Sequence, residues 1–250
     1  MNPECVYQSE RYKVFQDDEA VWLQLTSDAH ADLSFMHRNS PLQLTPYASY
    51  MLQPLAFIEA PRAAILIGLG GGQQAKFIHR YFPHIHLTAL ELDAEAVDIA
   101  RRHFALPDDD AHLRIVIGDG AGFIEQHQGT FDLILSDAFG DGNCLVDALH
   151  TEQFYRSCHR LLGADGVMTV NIYRPDAAWG VGYLSMLQKM FAEFYWIALG
   201  SDHFVLVLCK DHVSRRWPAI AERAALIDAN AALDSSALVA RLSRPKPIIP

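Results

Sequence analysis

Apolar and polar positions alternate along the central part of the chain with a regular spacing. Five short runs are apolar almost throughout: Ala63 to Ile67, His86 to Leu90, Leu113 to Ile117, Phe131 to Leu135 and Val167 to Ile172. Amphipathic stretches separate these runs, namely Gln73 to Tyr81, Ala94 to Phe104, Gly120 to His127 and Thr151 to Leu162. Because strands that are apolar on both faces need helices on both sides, this alternation predicts an α/β fold with a parallel sheet.

The end of this region predicts one strand of opposite direction. A helix is predicted from Gly182 to Phe194, the strand "YWIALG" follows, and only Gly200-Ser201-Asp202 separates it from the apolar run "HFVLVLC". Three residues are too few for the crossover that joins parallel strands. We therefore expect the last strand to run antiparallel to its neighbour.

The N-terminal part predicts a small β unit. Tyr12 to Phe15 and Val21 to Leu25 have the pattern of two strands joined by an acidic turn. The segment from Ser27 to Leu44 is irregular and polar, and Pro46 to Glu59 predicts a helix that Pro54 bends or splits.

The C-terminal part is alanine-rich. Trp217 to Leu242 predicts helix, and "RPKPIIP" predicts a loose tail. We divide the chain into residues 1–60, with the β unit and a linking helix, 61–212, with the α/β domain, and 213–250, with the helical tail.

Composition excludes several classes of function. A chain of 250 residues, half of them apolar, can bury a substantial core. The net charge of −10 and the lack of a Lys/Arg cluster argue against a nucleic-acid partner. Four scattered cysteines without a C-x-x-C motif predict neither disulfides nor a zinc site. The first residues lack a signal-peptide pattern and no apolar run approaches about 18 residues, so we expect a cytoplasmic protein without a membrane partner.

A glycine loop joins the first apolar run to the following helix. Gly68, Gly70, Gly71 and Gly72 allow backbone N–H groups and a helix N-terminus to approach a bound ligand. Dinucleotide enzymes need G-x-G-x-x-G, but Gln73 stands where the third glycine belongs, which disfavours NAD. The glycine spacing instead resembles the first motif of S-adenosylmethionine-dependent transferases.

Three acids stand at the ends of successive predicted strands. Glu91 is placed to accept hydrogen bonds from ribose hydroxyls. Asp119, with Gly120 after it, either holds an adenine amino group or caps the following helix, and both roles are compatible. Asp137 would face the ligand crevice, where it could orient or deprotonate an amine nucleophile. The alternatives are a solvated acid for Glu91 and a loop-starting residue for Asp137.

Four further residues are candidates for a substrate pocket: Tyr47, Tyr50, Asp141 and His150. Taken singly, each also suits an ordinary loop or packing role. His84 and His86 flank the start of a strand, and we interpret them as surface residues. We predict no metal site.

At these residues the chain resembles the spermidine synthase (polyamine aminopropyltransferase) family. The likeness runs from roughly Tyr7 to Lys210 and is carried by "ILIGLGGG", "ALELDAEAVDIARRHF", "RIVIGDGAGFI", "FDLILSDAF" and "LHTEQFYRSCHRLLGADGVMTVN". The resemblance implies a small N-terminal β unit, a methyltransferase-like Rossmann domain and a homodimer or larger oligomer.

The chain departs from the family pattern at three places. Gly71 stands where family synthases have an aspartate, and the resemblance implies that this aspartate pairs with the aminopropyl ammonium of decarboxylated S-adenosylmethionine. Its loss would make intact S-adenosylmethionine admissible. Asp141 falls one residue late in the D-x-x-D loop that begins at Asp137, and Ser49 replaces the acid near Tyr47.

The resemblance implies a transferase that alkylates a small amine, such as putrescine, with decarboxylated S-adenosylmethionine or S-adenosylmethionine. Asp137 would be its catalytic residue. Two alternatives stay open: a methyltransferase of unknown substrate that uses S-adenosylmethionine, and a non-catalytic homologue that only binds the cofactor.

Overall fold

The computed structural model describes residues 3–140, 144–173 and 181–243. These residues form two β-sheets and the helices that pack on the larger one. The first sheet has the antiparallel order β1-β2-β3-β4, with β1 Glu4–Gln8, β2 Tyr12–Gln16, β3 Ala20–Leu25 and β4 Asp28–His37. The strands of the second sheet are β5 Ala63–Ile67, β6 His86–Glu91, β7 Leu113–Ile117, β8 Phe131–Ser136, β9 Leu162–Tyr173, β10 Glu193–Ala198 and β11 His203–Cys209. The helices are α1 Pro46–Leu52, α2 Gln73–Tyr81, α3 Ala94–His103, α4 Gly120–Gln126, α5 Glu152–Leu161, α6 Val181–Met190, α7 Trp217–Ala231 and α8 Ser235–Leu242.

The second sheet has the order β7-β6-β5-β8-β9-β11-β10. The neighbours from β7 to β9 pair in parallel, and β11 is antiparallel to both β9 and β10. This topology confirms the predicted α/β fold with a mostly parallel sheet and an antiparallel last strand. The chain order reverses between β5 and β8, so the crevice for a ligand opens at the carboxyl ends of these two strands.

The structure corrects three predicted elements. The segment from Ser27 to Leu44 is not wholly irregular, since it contains β4, whose ladder with β3 has register shifts that break its apolar alternation. Helix α6 ends at Met190 instead of Phe194 because Glu193 already pairs with Cys209 of β11.

The third correction concerns the C-terminal helix, which is divided into α7 and α8. The break lies at Ala232 and Asp234, whose φ angles of 50° and 63° are left-handed and interrupt a helix. The predicted bend at Pro54 is confirmed, because α1 gives way to a 3-10 turn over Gln53–Phe57. The predicted tail after residue 243 lies outside the described residues.

The core places the first sheet beside the ligand crevice. One face of the second sheet packs against α1, α2, the 3-10 turn, α7 and α8, and the other packs against α4, α5 and α6. The first sheet packs on α3, where Leu23 and Val14 meet Ile99 and Phe104. Strand β4 therefore runs close to the glycine loop that precedes α2. Within the described residues, no helix combines the length and apolarity needed to span a bilayer.

Candidate active site

The glycine loop and Asp137 meet where the strand order reverses. Gly68 follows β5 and has a φ of +90°, and a Cβ on it would lie 2.6 Å from the carbonyl oxygen of Asp137. The backbone N–H of Asp137 donates to the carbonyl of Ile67 at 2.8 Å. Only glycine fits this close approach, which brings the end of β8 against the start of the loop.

The backbone N–H groups of the loop already have acceptors within the protein. Those of Leu69 and Gly70 donate to Oε2 of Glu91, at 3.1 and 3.4 Å. That of Gly71 donates to Oγ of Ser34 on β4 at 2.7 Å. The loop is therefore held from β6 on one side and from the N-terminal sheet on the other.

Gly71 has no room for a side chain in this arrangement. A Cβ there would lie 2.8 Å from Cδ1 of Phe104 and 3.0 Å from Cβ of Ser34. The space beside the loop is thus occupied by β4 and by the residue that follows α3. The packing around Gly71 therefore leaves no space for the side chain of an aspartate at this position.

Two cavities open on opposite sides of this junction. The smaller, of about 180 Å³, is lined by the predicted cofactor residues Glu91, Asp119 and Gly120 and by the exposed side chain of Leu92. The larger, of about 460 Å³, is lined among others by Asp32, Ser34, Phe35, Tyr47, Gly71, Gln74, Phe139, Asn171, Tyr173 and His203. Gly68, Gly70 and Asp137 line both cavities, so the two cavities adjoin at this junction.

Asp119 has the capping role that the sequence allowed. Its Oδ2 accepts from the backbone N–H of Gly122 at 2.7 Å, at the N-terminus of α4. The same residue lines the smaller cavity, so capping and ligand contact are compatible. Gly120 is needed for packing, since a Cβ there would lie 2.5 Å from Cγ2 of Ile67.

Asp137 lies in a network of side-chain donors. Asn171 Nδ2 donates to its Oδ1 at 2.7 Å, and Gln74 Nε2 donates to its Oδ2 at 2.9 Å. The Tyr47 hydroxyl also donates to this carboxylate. Burial raises the pKa of Asp137 to about 7, although all three donors oppose that rise. A carboxylate with a pKa near neutrality can both accept and return a proton under physiological conditions.

Tyr47 is positioned by the residue that replaces the third glycine. Helix α1 begins after Thr45, whose N–H and hydroxyl both donate to Oε1 of Gln73, at 3.0 and 2.9 Å. Burial and the Asp137 carboxylate raise the pKa of the Tyr47 phenol well above its ordinary value. The phenol therefore keeps its proton and acts as a donor.

The sequence analysis missed Asn171, His203 and Gln74. Asn171 lies inside the apolar run Val167 to Ile172, near the carboxyl end of β9 and at the edge of the sheet where Asp137 lies. A polar residue within this apolar run is the signal that could have identified it. His203 begins β11, and because β11 is antiparallel to β9, its first residue lies beside the end of β9. Gln74 is 3% exposed, and its Oε1 has no hydrogen-bond partner in the described structure.

The structure does not bring two of the predicted substrate residues to either cavity. Tyr50 packs against the core on the face of the second sheet that α1, α2, α7 and α8 cover. His150 contacts the hydroxyl of Tyr155 at 3.3 Å, and burial lowers its pKa to about 4. Asp141 lies outside the described residues.

Acidic groups dominate the charge of the larger cavity. Asp32 and Asp137 line it, and the lining that the structure describes contains no lysine or arginine. Asp32 is exposed on β4, and its Oδ1 accepts from Nε2 of Gln24 at 2.8 Å. The cavity therefore favours positively charged groups over anions.

Known sequences resemble this chain over most of its length. The polyamine aminopropyltransferase of Chromobacterium violaceum is 30% identical over 204 residues, which cover 79% of this chain and 76% of the relative. The polyamine aminopropyltransferase of Neisseria meningitidis is 36% identical over 163 residues, which cover 64% of this chain and 60% of the relative. The chain thus spans less than two thirds of the second enzyme.

Solved structures show the same fold. A spermidine synthase in complex with the transition state analogue AdoDATO matches with a TM-score of 0.67 and 20% identity, covering 83% of this chain and 74% of that one. Human Methyltransferase-like protein 13 in complex with SAH matches with a TM-score of 0.66 and 22% identity, covering 82% and 97%. These matches confirm the methyltransferase-like Rossmann fold.

The model of the spermine/spermidine synthase domain matches residues 47–175, which include the glycine loop, Glu91, Asp119, Asp137 and Asn171. The match covers half of the chain and agrees with the resemblance that the sequence motifs carry. Together with the Chromobacterium relative, it shows that this chain belongs to the spermine/spermidine synthase family.

Proposed function

We propose that this protein transfers an aminopropyl group from decarboxylated S-adenosylmethionine to a small primary amine. The observation that carries the proposal is the acidic character of the larger cavity, whose described lining contains Asp32 and Asp137 and no lysine or arginine. The acceptor amine and the tail of the decarboxylated cofactor are both cations. The names of the related polyamine aminopropyltransferases support the same reaction.

The residues present fit a cofactor that extends through both cavities. Its nucleoside would occupy the smaller cavity, with Glu91 near the ribose and Leu92 and Asp119 near the base. Its sulfonium would lie at the junction of Gly68 and Asp137. Gly68, Gly70 and Asp137 line both cavities, so the tail would extend past these residues into the larger cavity beside β4.

The tail site favours the decarboxylated form. A carboxylate could be held by free backbone N–H groups of the loop, but those of Leu69 and Gly70 already donate to Glu91. The N–H of Gly71 donates to Ser34. A carboxylate would therefore lose hydration without gaining a partner, whereas an ammonium would be attracted by Asp32.

Asp137 would serve as the proton acceptor. The acceptor arrives as an ammonium, so it must lose a proton before its nitrogen has a lone pair. When bound, the sulfonium would supply an electrophilic carbon and a thioether leaving group, so that this lone pair forms the N–C bond while the C–S bond breaks. Asp137 takes the proton that the amine nitrogen releases, and its pKa of about 7 suits this task. Tyr47, Gln74 and Asn171 hold the carboxylate in place, and alignment of the two reactants provides much of the remaining acceleration.

The walls of the larger cavity suit a small amine. Phe35, Tyr47, Phe139 and Tyr173 line it, and aromatic faces attract ammonium groups. Gln74 Oε1 is a buried acceptor beside Asp137 without a donor among the described residues. An amine N–H would supply such a donor and remove the cost of an unmade hydrogen bond.

Titration calorimetry with both forms of the cofactor tests this proposal. We expect decarboxylated S-adenosylmethionine to bind at least about ten-fold more tightly than S-adenosylmethionine, a difference of about 1.4 kcal/mol. 5′-Methylthioadenosine, which lacks the tail, serves as the control for nucleoside binding. Tighter binding of intact S-adenosylmethionine would contradict aminopropyl transfer.

The second candidate function is methyl transfer. It is favoured by one observation, the absence of a charge at Gly71, where family synthases have an aspartate. The structural neighbour that was solved with SAH is a methyltransferase-like protein, but at 22% identity it supports the fold alone. Formation of methylated amines from S-adenosylmethionine would establish this candidate. If neither cofactor yields a product, the remaining candidate is a homologue that binds the cofactor without catalysis.

The homodimer and the cytoplasmic location remain predictions. The first comes from the family resemblance and the second from composition and the pattern of the first residues. Light scattering on the purified protein would test the dimer, for which we expect twice the mass of 28.0 kDa. A single copy at micromolar concentration would contradict it.

A further inference from the structure

We infer that His203 is a positioning residue, which fixes the side-chain amide of Asn171 and thereby the hydrogen bonding of the catalytic Asp137. Nε2 of His203 lies 2.8 Å from Oδ1 of Asn171, and Nδ2 of Asn171 lies 2.7 Å from Oδ1 of Asp137. The three side chains form one chain of contacts along the wall of the larger cavity. The kinetic part of this inference rests on the proposed function, but its structural part does not.

The geometry determines which ring nitrogen carries the proton. A carboxylate can only accept hydrogen bonds, so the Asn171 amide must present its NH₂ group to Asp137 and its carbonyl to His203. The ring must then donate from Nε2. Burial lowers the pKa of His203, which favours the neutral ring with a single N–H. The hydrogen-bond partners therefore assign both the orientation of the Asn171 amide and the tautomer of His203.

The ring is held between two aromatic side chains. Its centroid lies 5.5 Å from that of Tyr47 and 5.3 Å from that of Tyr173. The antiparallel register of β11 against β9 pairs His203 with Tyr173 and Val205 with Asn171. This register allows a residue from β11 to reach a side chain two positions back along β9.

The amide of Asn171 has no comparable restraint without His203. It is 6% exposed, and its carbonyl would then be buried without a donor. Rotation by half a turn would direct that carbonyl at Asp137 and replace a donor with an acceptor. Because the Asn171 donor lowers the pKa of Asp137, its loss raises that pKa and reduces the fraction of the basic form at neutral pH.

Other ionisable groups face this chain of contacts. Tyr47 faces both Asp137 and His203, Tyr173 flanks the ring, and Asp202 precedes it in the sequence. Asp32 lies on the wall that β4 contributes. Variants at His203 leave all of these groups in place, so the change in Asp137 can be assigned to the lost N–H donor.

Three variants separate the donor from the shape of the ring. Glutamine has its amide nitrogen at the same number of bonds from Cβ as Nε2 of histidine, so His203→Gln keeps the donor. In His203→Asn the amide nitrogen is one bond closer to Cβ than Nε2 of histidine, so it does not reach Asn171. His203→Phe keeps an aromatic ring at this position but has no N–H donor. Ser201→Ala, at an exposed position in the same turn, is the control for handling and folding.

The test is a carbon-13 NMR titration of aspartate carboxyl groups in the free protein, with the Asp137 signal identified by its loss in Asp137→Asn. We expect His203→Phe and His203→Asn to raise the pKa of Asp137 by about one unit, and His203→Gln to keep it within about 0.3. If His203→Phe does not fold, the comparison of His203→Gln with His203→Asn decides. An unchanged pKa of Asp137 in both His203→Phe and His203→Asn, or a rise in His203→Gln equal to theirs, would overturn the inference.

The kinetic readout follows the same shift. In His203→Phe the acid limb of kcat/KM should move up by about one pH unit, so that kcat/KM falls roughly five-fold at pH 7 and recovers at pH 9. A purely structural role would lower kcat/KM equally at all pH values. The NMR titration requires neither cofactor nor amine, so absence of aminopropyl transfer would refute the proposed function and leave the role of His203 to be judged separately.

Discussion

Replacing Asp137 with asparagine should change stability and activity in opposite directions. Burial raises the pKa of Asp137 from its ordinary value of 3.8 to about 7. The folded protein therefore binds this proton more tightly than the unfolded chain does, and the resulting stability is present below pH 3.8 and is lost as the pH rises towards 7. At 1.36 kcal/mol per pKa unit, the loss amounts to about 4 kcal/mol.

Asparagine has no proton to lose, so Asp137→Asn escapes this loss. The difference in the free energy of unfolding between the variant and the natural protein should rise by about 4 kcal/mol from pH 4 to pH 8. Any constant cost of the new amide beside Gln74 and Asn171 cancels when the two pH values are compared. Because asparagine cannot accept the proton, kcat/KM should fall by about 10² to 10⁴.

Urea unfolding at unit pH steps, followed by tryptophan fluorescence, measures the stability difference. The chain has four tryptophans, which provide the signal. Since both proteins share every other ionisable group, a difference that stays flat between pH 4 and pH 8 would refute a buried acid with a raised pKa. Activity within ten-fold of the natural protein would refute the catalytic role of Asp137.

Three further variants test the cofactor site. Gly68→Ala should abolish cofactor binding and destabilise the fold by about 1–3 kcal/mol, because its Cβ would collide with backbone atoms of Asp137 and Ala138. Gly200→Ala, at a position where a Cβ has open space, should have neither effect. Gly71→Asp should lower the melting temperature and weaken binding of both cofactors, since its side chain collides with the groups packed over the loop; tighter binding of the decarboxylated form would contradict this. Asp32→Asn should weaken decarboxylated S-adenosylmethionine roughly five-fold in calorimetry without weakening the intact form. Asp18→Asn, an exposed acid outside the cavity, should leave both affinities unchanged, and an equal loss in the two variants would argue against a local role of Asp32.

Local periodicity was sufficient to predict the elements around the cofactor loop. The strands Ala63–Ile67 and Leu113–Ile117 and the helix Gln73–Tyr81 have the predicted bounds. These elements are specified by short-range patterns, because a buried strand needs a continuous apolar run and a helix needs an apolar stripe. The ends of three such strands carry Glu91, Asp119 and Asp137, which is why the acids of the two cavities could be named from the sequence.

The remaining parts of the site depend on contacts between distant segments. Ser34 reaches Gly71 across 37 positions, and His203 reaches Asn171 across 32. Neither contact leaves a local pattern, since each follows from the pairing of β4 with β3 and of β11 with β9. The irregular ladder of β4 also hid that strand, and with it the wall that contributes Asp32.

The packing around Gly71 changes the meaning of the departure from the family pattern. From the sequence alone, a missing aspartate opens the site to the carboxylate of intact S-adenosylmethionine. In the structure the loop N–H groups already have acceptors, and a carboxylate on the neighbouring strand faces the same cavity. The missing charge therefore does not create a site for an anion.

The most direct test of aminopropyl transfer is mass spectrometry of the products from a mixture of small amines. The purified protein is incubated with decarboxylated S-adenosylmethionine in one reaction and with S-adenosylmethionine in another, and Asp137→Asn is included in both as the inactive control. We predict that an amine gains one aminopropyl group in the first reaction and that no amine gains a methyl group in the second. Methylated products from S-adenosylmethionine, with no aminopropyl product, would contradict the account.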